Sequence, residues 1–162
     1  MGSPFGADTL GWRVIVALRA WPEFQARHAE YVATEICDRP GSDILRVLHP
    51  YERAIVVDAM CSGAAGGTVR ELTLDDLPRV LAPASSHGFG LAAALQLGRV
   101  LRQLPERLVI VGIEWTDSID AYDPSAAVSR ILDLLETIPL ADSWHAADDL
   151  EIDSCVETQS SR

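Results

Sequence analysis

The chain has 162 residues, 48% of them hydrophobic, and carries 13 basic against 24 acidic side chains for a formal net charge of −11. That length and composition suit one globular domain with a core of its own and exclude a disordered chain. The acidic balance leaves no Lys/Arg stripe to displace phosphate counterions, which argues against a nucleic-acid partner.

In chain order, the Gly/Ser/Pro-rich start reads as a flexible leader over residues 1–11. Arg13-Val14-Ile15-Val16-Ala17-Leu18 reads as a buried strand, short, continuous and β-branched. Trp21 to Glu30 is polar with helical spacing, and Tyr31 to Cys37 is a candidate second strand. Arg39-Pro40-Gly41-Ser42 is turn chemistry, after which Ser42 or Asp43 can cap a short helix ending at His49-Pro50. Arg53 to Ala59 is the clearest strand. Its unbroken Ala54-Ile55-Val56-Val57 predicts burial on both faces and a central place in a parallel sheet.

Gly63 to Gly67 predicts a flexible loop and Thr68 to Leu72 a further strand. Gly88 to Leu104 reads as a helix with Leu91, Ala94, Leu95, Gly98 and Leu101 on one face and Pro105 beyond its end. Leu108 to Ile113 is a second fully buried strand. Asp123-Pro124 opens a last helix whose stripe is Val128, Ile131, Leu132, Leu135 and Ile138. An acidic, Ser-rich tail follows over residues 141–162, so the domain is expected over 12–140. Strands alternating with helices predict an α/β fold, a three-layer sandwich with a twisted, mostly parallel sheet between helices. No stretch approaches the roughly twenty apolar residues of a membrane span, and the start lacks the basic region of a signal peptide. Cys37, Cys61 and Cys155 form no C-x-x-C pair, which fits a cytoplasmic protein.

Chemistry gathers at two positions. Asp58 ends an apolar strand just before a Gly-rich loop, where ligands collect in open α/β sheets. A carboxylate there can bind a metal, orient a histidine, act as general base or cap the next turn. His87 precedes the amphipathic helix and can present a ring nitrogen to the same crevice, or sit on the surface. Imidazole with carboxylate suits nickel, zinc or iron better than calcium or magnesium. Ser62, Ser85 and Ser86 make a Ser-His-Asp triad conceivable, but no G-x-S-x-G elbow supports it. Cys61 reads as a small buried hydrophobe, with a thiol nucleophile as the alternative. Ser62 to Thr68 has the glycines of a phosphate cradle without the Gly-Lys-Ser/Thr ending of a P-loop. Trp115 to Tyr122 is expected to border the crevice and touch the substrate.

These residues resemble a known family, the endopeptidases that mature nickel–iron hydrogenases. The resemblance rests on Val57-Asp58-Ala59, Gly66-Gly67-Thr68, His87-Gly88-Phe89-Gly90-Leu91, Leu104-Pro105, Val111-Gly112-Ile113-Glu114 and the helix opening Asp123 to Val128, in the family's order from about Tyr51 to Ile138. It implies an enzyme that senses nickel already inserted in a hydrogenase large-subunit precursor and cuts off the precursor's short C-terminal extension. The nickel is then carried by the substrate, and the partner is the precursor. Of the family's metal-contacting Glu, Asp and His, Asp58 and His87 match the Asp and the His. The family opens with a strand, a Gly-x-Gly-Asn turn and Asp-Asp/Glu-Gly leading a long first helix. With Arg13 to Leu18 read as the strand, no such turn follows, and Glu23 and Glu30 are the nearby acids for the third position. Gly66 also stands where the family has Pro. The resemblance leaves two functions open: a nickel-dependent endopeptidase, or a non-catalytic protease-like module that binds the precursor without cleaving it.

Overall fold

The computed structural model describes residues 9–38, 41–77, 90–116 and 121–137. The first element among the described residues is a helix, α1 (Leu10–Ala20), and not the expected strand. Its buried positions Leu10, Gly11, Val14 and Leu18 recur at helical spacing. The reading as a strand failed because the helix is apolar on its outer side too, with Val16 58% exposed. A short continuous apolar run does not distinguish the two periods. The helix takes in the last residues of the segment expected as a leader; residues 1–8 and the tail 141–162 lie outside the described residues.

Trp21, held extended by the proline that follows it, separates α1 from α2 (Pro22–Arg27). Residues 32–37 form no strand. The Trp12 indole donates to the Cys37 carbonyl at 3.3 Å, and Arg19 donates to the Thr34 hydroxyl at 2.7 Å and to the Thr34 carbonyl. The segment is thereby tied to α1. A short helix α3 (Asp43–Leu48) follows as expected, although Ser42 makes no side-chain cap bond.

Three strands make the sheet: β1 (Arg53–Met60), β2 (Val69–Leu72) and β3 (Arg107–Glu114), in the order β1-β3-β2. β1 and β3 are parallel, with Val57 opposite Val111, Asp58 opposite Gly112 and Met60 opposite Glu114. β2 runs antiparallel to β3, with Leu72 opposite Ile110, so the sheet is mixed. Among the described strands β3 is central, the place expected for β1. Helix α4 (Leu91–Leu101) leads into β3, and α5 (Ser125–Thr137) closes the described chain. Asp123 caps α5 as expected: its Oδ1 accepts from the Ser125 amide at 2.9 Å and the Ser125 hydroxyl at 2.5 Å.

Strand alternation divides the core into two layers. Val57, Val111 and Ile113 pack with Leu10, Val14, Leu18, Phe24 and the α5 residues Val128, Ile131 and Leu132. Val56, Met60, Ile110 and Leu72 pack on the other face with Ile44, Leu45, Leu91, Ala94 and Leu95. Helices α1, α2 and α5 therefore cover one face, and α3 and α4 the other. This is the expected three-layer sandwich. No helix among the described residues is long and apolar enough to cross a membrane.

Candidate active site

Asp58 is the antepenultimate residue of β1 and is half-buried. It shares strand parity with Val56 and Met60, so its side chain leaves the sheet on the α3/α4 face. Its cross-strand neighbour Gly112 adds no side chain there. A Cβ at Gly112 would lie 2.7 Å from both Leu72 Cδ1 and Met60 Sδ, so glycine is required by packing.

Topology brings the start of α4 to the same end of the sheet. β3 begins at Arg107, beside Arg53 at the opposite end from Asp58, and α4 delivers the chain to that start. Eleven helical residues span about 16 Å. The step along β3 from Arg107 to Gly112 covers a similar ~16 Å. Gly90, the N-cap of α4, therefore lies toward the Asp58 end. His87, three positions earlier, falls in 78–89, outside the described residues, as do Ser85 and Ser86.

The loop after β1 is pinned by an acid that sequence reading treated only as part of a motif. Glu114, the last residue of β3, is 4% exposed. Its carboxylate accepts from the Ser62 amide at 2.9 and 3.0 Å, the Ser62 hydroxyl at 2.6 Å and the Gly63 amide at 3.0 Å. Burial pushes the Glu114 carboxyl up, but the Ser62 hydroxyl, the two loop amides and the nearby Arg70 outweigh it and hold it below the ordinary value. The Glu114 backbone is engaged as well, its carbonyl accepting from the Gly67 amide at 2.9 Å and its amide donating to Thr68 at 2.8 Å. A buried carboxylate satisfied by several donors is a stable anchor.

This arrangement decides between the readings of the loop. The Ser62 hydroxyl is committed to Glu114, which removes it from a triad. The Ser62, Gly63, Gly67 and Thr68 amides bond to the protein itself, so these four are not available to cradle a phosphate. Cys61 is an exposed free thiol and not the expected buried hydrophobe; Cys37 is free too.

Glu23 and Glu30 do not join Asp58. Glu23 sits on the surface of α2 with its carboxylate 3.2 Å from Arg27, which also pairs with Glu136 of α5 at 2.5 Å. Phe24 anchors α2 in the α1/α5 layer, across the sheet from Asp58. Glu30 is exposed in the turn after α2. Among the described residues no three His, Cys, Asp or Glu side chains gather as a metal site.

The helical state of residues 10–20 changes where the third acid is sought. α1 is the first helix among the described residues, and the acid preceding it in sequence is Asp8, in Ala7-Asp8-Thr9 with Gly2-Ser3 before it. Asp8 itself lies outside the described residues. The helix was legible in the sequence as the four-residue spacing of Leu10, Val14 and Leu18.

Beyond the loop an open cleft of about 390 Å³ is lined by Gly66, Gly67, Thr116, Tyr122, Asp123 and Ala126, among others. Part of the expected bordering segment, Trp115 to Tyr122, thus does border a crevice; residues 117–120 lie outside the described set.

A family model for hydrogenase maturation proteases matches residues 39–140, well over half of the chain. Among solved structures, the hydrogenase-maturating endopeptidase HybD from E. coli shares 22% identity, with 84% of this chain and 88% of that one covered and a TM-score of 0.62. The solution structure of an endopeptidase from Escherichia coli shares 21% identity over 85% of this chain and 89% of that chain, with a TM-score of 0.62. A hydrogenase 2 maturation peptidase from a Thaumarchaeota archaeon shares 23% identity over 83% and 93% of the two chains, with a TM-score of 0.53. At these identities the likeness is one of fold. No curated protein sequence matches the chain.

Proposed function

The chain belongs to the hydrogenase maturation protease family, and from that premise we propose that it removes the C-terminal extension of a nickel–iron hydrogenase large-subunit precursor in the cytoplasm, gripping the precursor's own nickel through Asp58, His87 and Asp8. The family makes processing of hydrogenase precursors its function; the nickel and the three side chains are the finer reading. One observation carries that reading. Asp58 stands at the C-terminal end of β1, opposite a side-chain-free Gly112 and at the end of the sheet toward which α4 begins.

An imidazole among the carboxylates suits nickel better than calcium or magnesium. The nickel is part of the substrate, so these residues act by holding the precursor, with its C-terminal segment, against the strand ends. Asp8 supplies the acid that the family pattern asks for ahead of the first helix. The alternative, a module that binds the precursor without cutting it, draws its support from an absent third acid, and Asp8 removes that support.

The test is processing of a nickel-loaded large-subunit precursor by four single variants. Asp8→Ala, Asp58→Ala and His87→Ala should each lower the cleavage rate by about two orders of magnitude or more, as loss of an essential contact does. Glu23→Ala should leave it unchanged, because Glu23 is held at the surface by Arg27. Processing by Asp58→Ala at the wild-type rate would remove that residue from the mechanism.

A further inference from the structure

Helix α4 is apolar over most of its circumference. Leu91, Ala94, Leu95 and Gly98 are buried in the core, where a Cβ on Gly98 would lie 2.5 Å from Leu45 of α3. Its polar side chains lie along one side: Gln96 donates to the Leu74 carbonyl at 2.8 Å, and Arg99 pairs with Asp75 at 2.8 Å. Leu97, Val100 and Leu101 make the remaining side at helical spacing, and they are 37%, 79% and 51% exposed. A helix apolar all round is ordinarily covered on every side. This one has a side still open, at its C-terminal half, where the flanking residues 41–48 and 102–107 are all described.

Size, charge and reach say what covers it. The exposed parts of the three side chains amount to on the order of 300 Å², well short of the roughly 800 Å² per partner of a stable interface. One short segment fits this face better than a second copy of the chain. In a protein of net charge −11, the face is bordered by exposed arginines. Arg102 follows it directly, Arg107 opens β3, and Arg46 adjoins the Leu45 that packs on Gly98, against one acid in the connection, Glu106. Arg102 also caps α4 in the left-handed region, at φ 56°, where glycine would sit without cost. An apolar, acidic segment complements such a surface.

The chain carries such a segment within reach. α5 starts beside the Gly66–Gly67 loop and pairs Arg130 with Glu71 of β2, opposite Val111. Thr137 therefore lies toward the Arg107 end of the sheet, where α4 also ends, on the other face. The two helix layers stand about 20 Å apart, and Trp144, seven residues beyond Thr137, can extend about 23 Å. Trp144, Leu150 and Ile152 are interspersed with Asp142, Asp148, Asp149, Glu151 and Asp153, and 138–161 contain no Lys or Arg. We propose that segment 142–153 of this chain docks on the open face of α4, with Trp144 against Leu97, Val100 and Leu101 and its carboxylates toward Arg102 and Arg46. This contact is independent of the precursor and holds whether or not the chain cuts it.

Trp144 fluorescence in the full chain tests this, isolated as the difference between each protein and the same protein carrying Trp144→Phe. At low micromolar concentration, the Trp144 signal of the wild type should be blue-shifted and about threefold or more less accessible to acrylamide than in Val100→Asp, as for a docked against a free segment. Val100 points away from the core, so Val100→Asp should keep the circular dichroism of the wild type. Arg102→Gly relieves the left-handed backbone and should hold or raise Tm while exposing Trp144. Equal quenching in the wild type and Val100→Asp would overturn the docking, and equal quenching in the wild type and Arg102→Gly would overturn the charge contact. Shielding that grows with protein concentration, as the mass in light scattering doubles, would give the face to a second copy and overturn the segment as its occupant. Shielding that appears only on adding a large-subunit precursor would overturn it as well.

Discussion

Glu114→Ala removes the acid that fastens the loop after β1 to the end of β3. Three donors are affected: the Ser62 amide, the Ser62 hydroxyl at 2.6 Å and the Gly63 amide at 3.0 Å. Hydrogen bonds to a charged group contribute about 1.5–3 kcal/mol each when fully counted. They are not additive here, because the loop residues themselves are exposed and water can replace part of what is lost. A net cost of about 3 kcal/mol is expected for Glu114→Ala. Glu114→Gln keeps one acceptor oxygen but turns an NH2 toward a donor, for a cost of about 1–2 kcal/mol. Urea unfolding reads both, as a lowered midpoint at constant slope.

The pH dependence has a fixed sign. The folded-state carboxyl lies below its ordinary value, so its contribution is fully present above the unfolded pKa of about 4.3 and disappears as pH falls through the lower folded value. The gap in stability between wild type and Glu114→Gln should be constant from pH 6 to 8 and narrow below about pH 4. A loss under 1 kcal/mol in Glu114→Ala, or a gap that widens in acid, would refute the anchor.

Other expectations follow from the same geometry. Gly112→Ala forces a methyl to within 2.7 Å of Leu72 and Met60 and should cost about 1–3 kcal/mol in urea unfolding; a neutral effect would mean that the two side chains yield freely. His28 is 7% exposed, with its Nε2 buried and unbonded among the described residues and its ring set against Phe24 and Tyr31 at 6.1 and 6.0 Å. His28→Leu should therefore hold or raise Tm, and a fall worth more than about 2 kcal/mol would show that the imidazole has a bonding role. Ser62→Ala should retain precursor processing, since its hydroxyl serves Glu114; a loss as large as that expected for Asp58→Ala would reinstate it as a nucleophile.

Much of the frame was legible in the sequence because it is local. The unbroken apolar runs of β1 and β3 and the Asp123-Pro124 cap of α5 each appear where their residues predict them. The position of Asp58 near the end of β1 was legible the same way, from the apolar run before it. The errors have physical causes. Val16 puts an apolar side chain on the outer face of α1, which erases the helical stripe and makes the run look like a strand. That one misreading put a strand where the structure has α1, and so directed the search for a third acid to the residues after it, Glu23 and Glu30. The position of β1 beside a single described strand follows from pairing, which no local pattern encodes. Glu114 and Ser62 meet across 52 positions, so an anchor was indistinguishable from a motif residue until the chain was folded. That the buried Tyr122 hydroxyl has no partner among the described residues is likewise visible only in the folded chain.

The most direct test of the account is the intact mass of a nickel-loaded large-subunit precursor before and after incubation with this protein. The account predicts loss of a single C-terminal peptide, absent when the precursor carries no nickel. An unchanged mass, beside a family member that does shorten the same precursor, would contradict it and leave a fold that has kept the precursor and lost the cut.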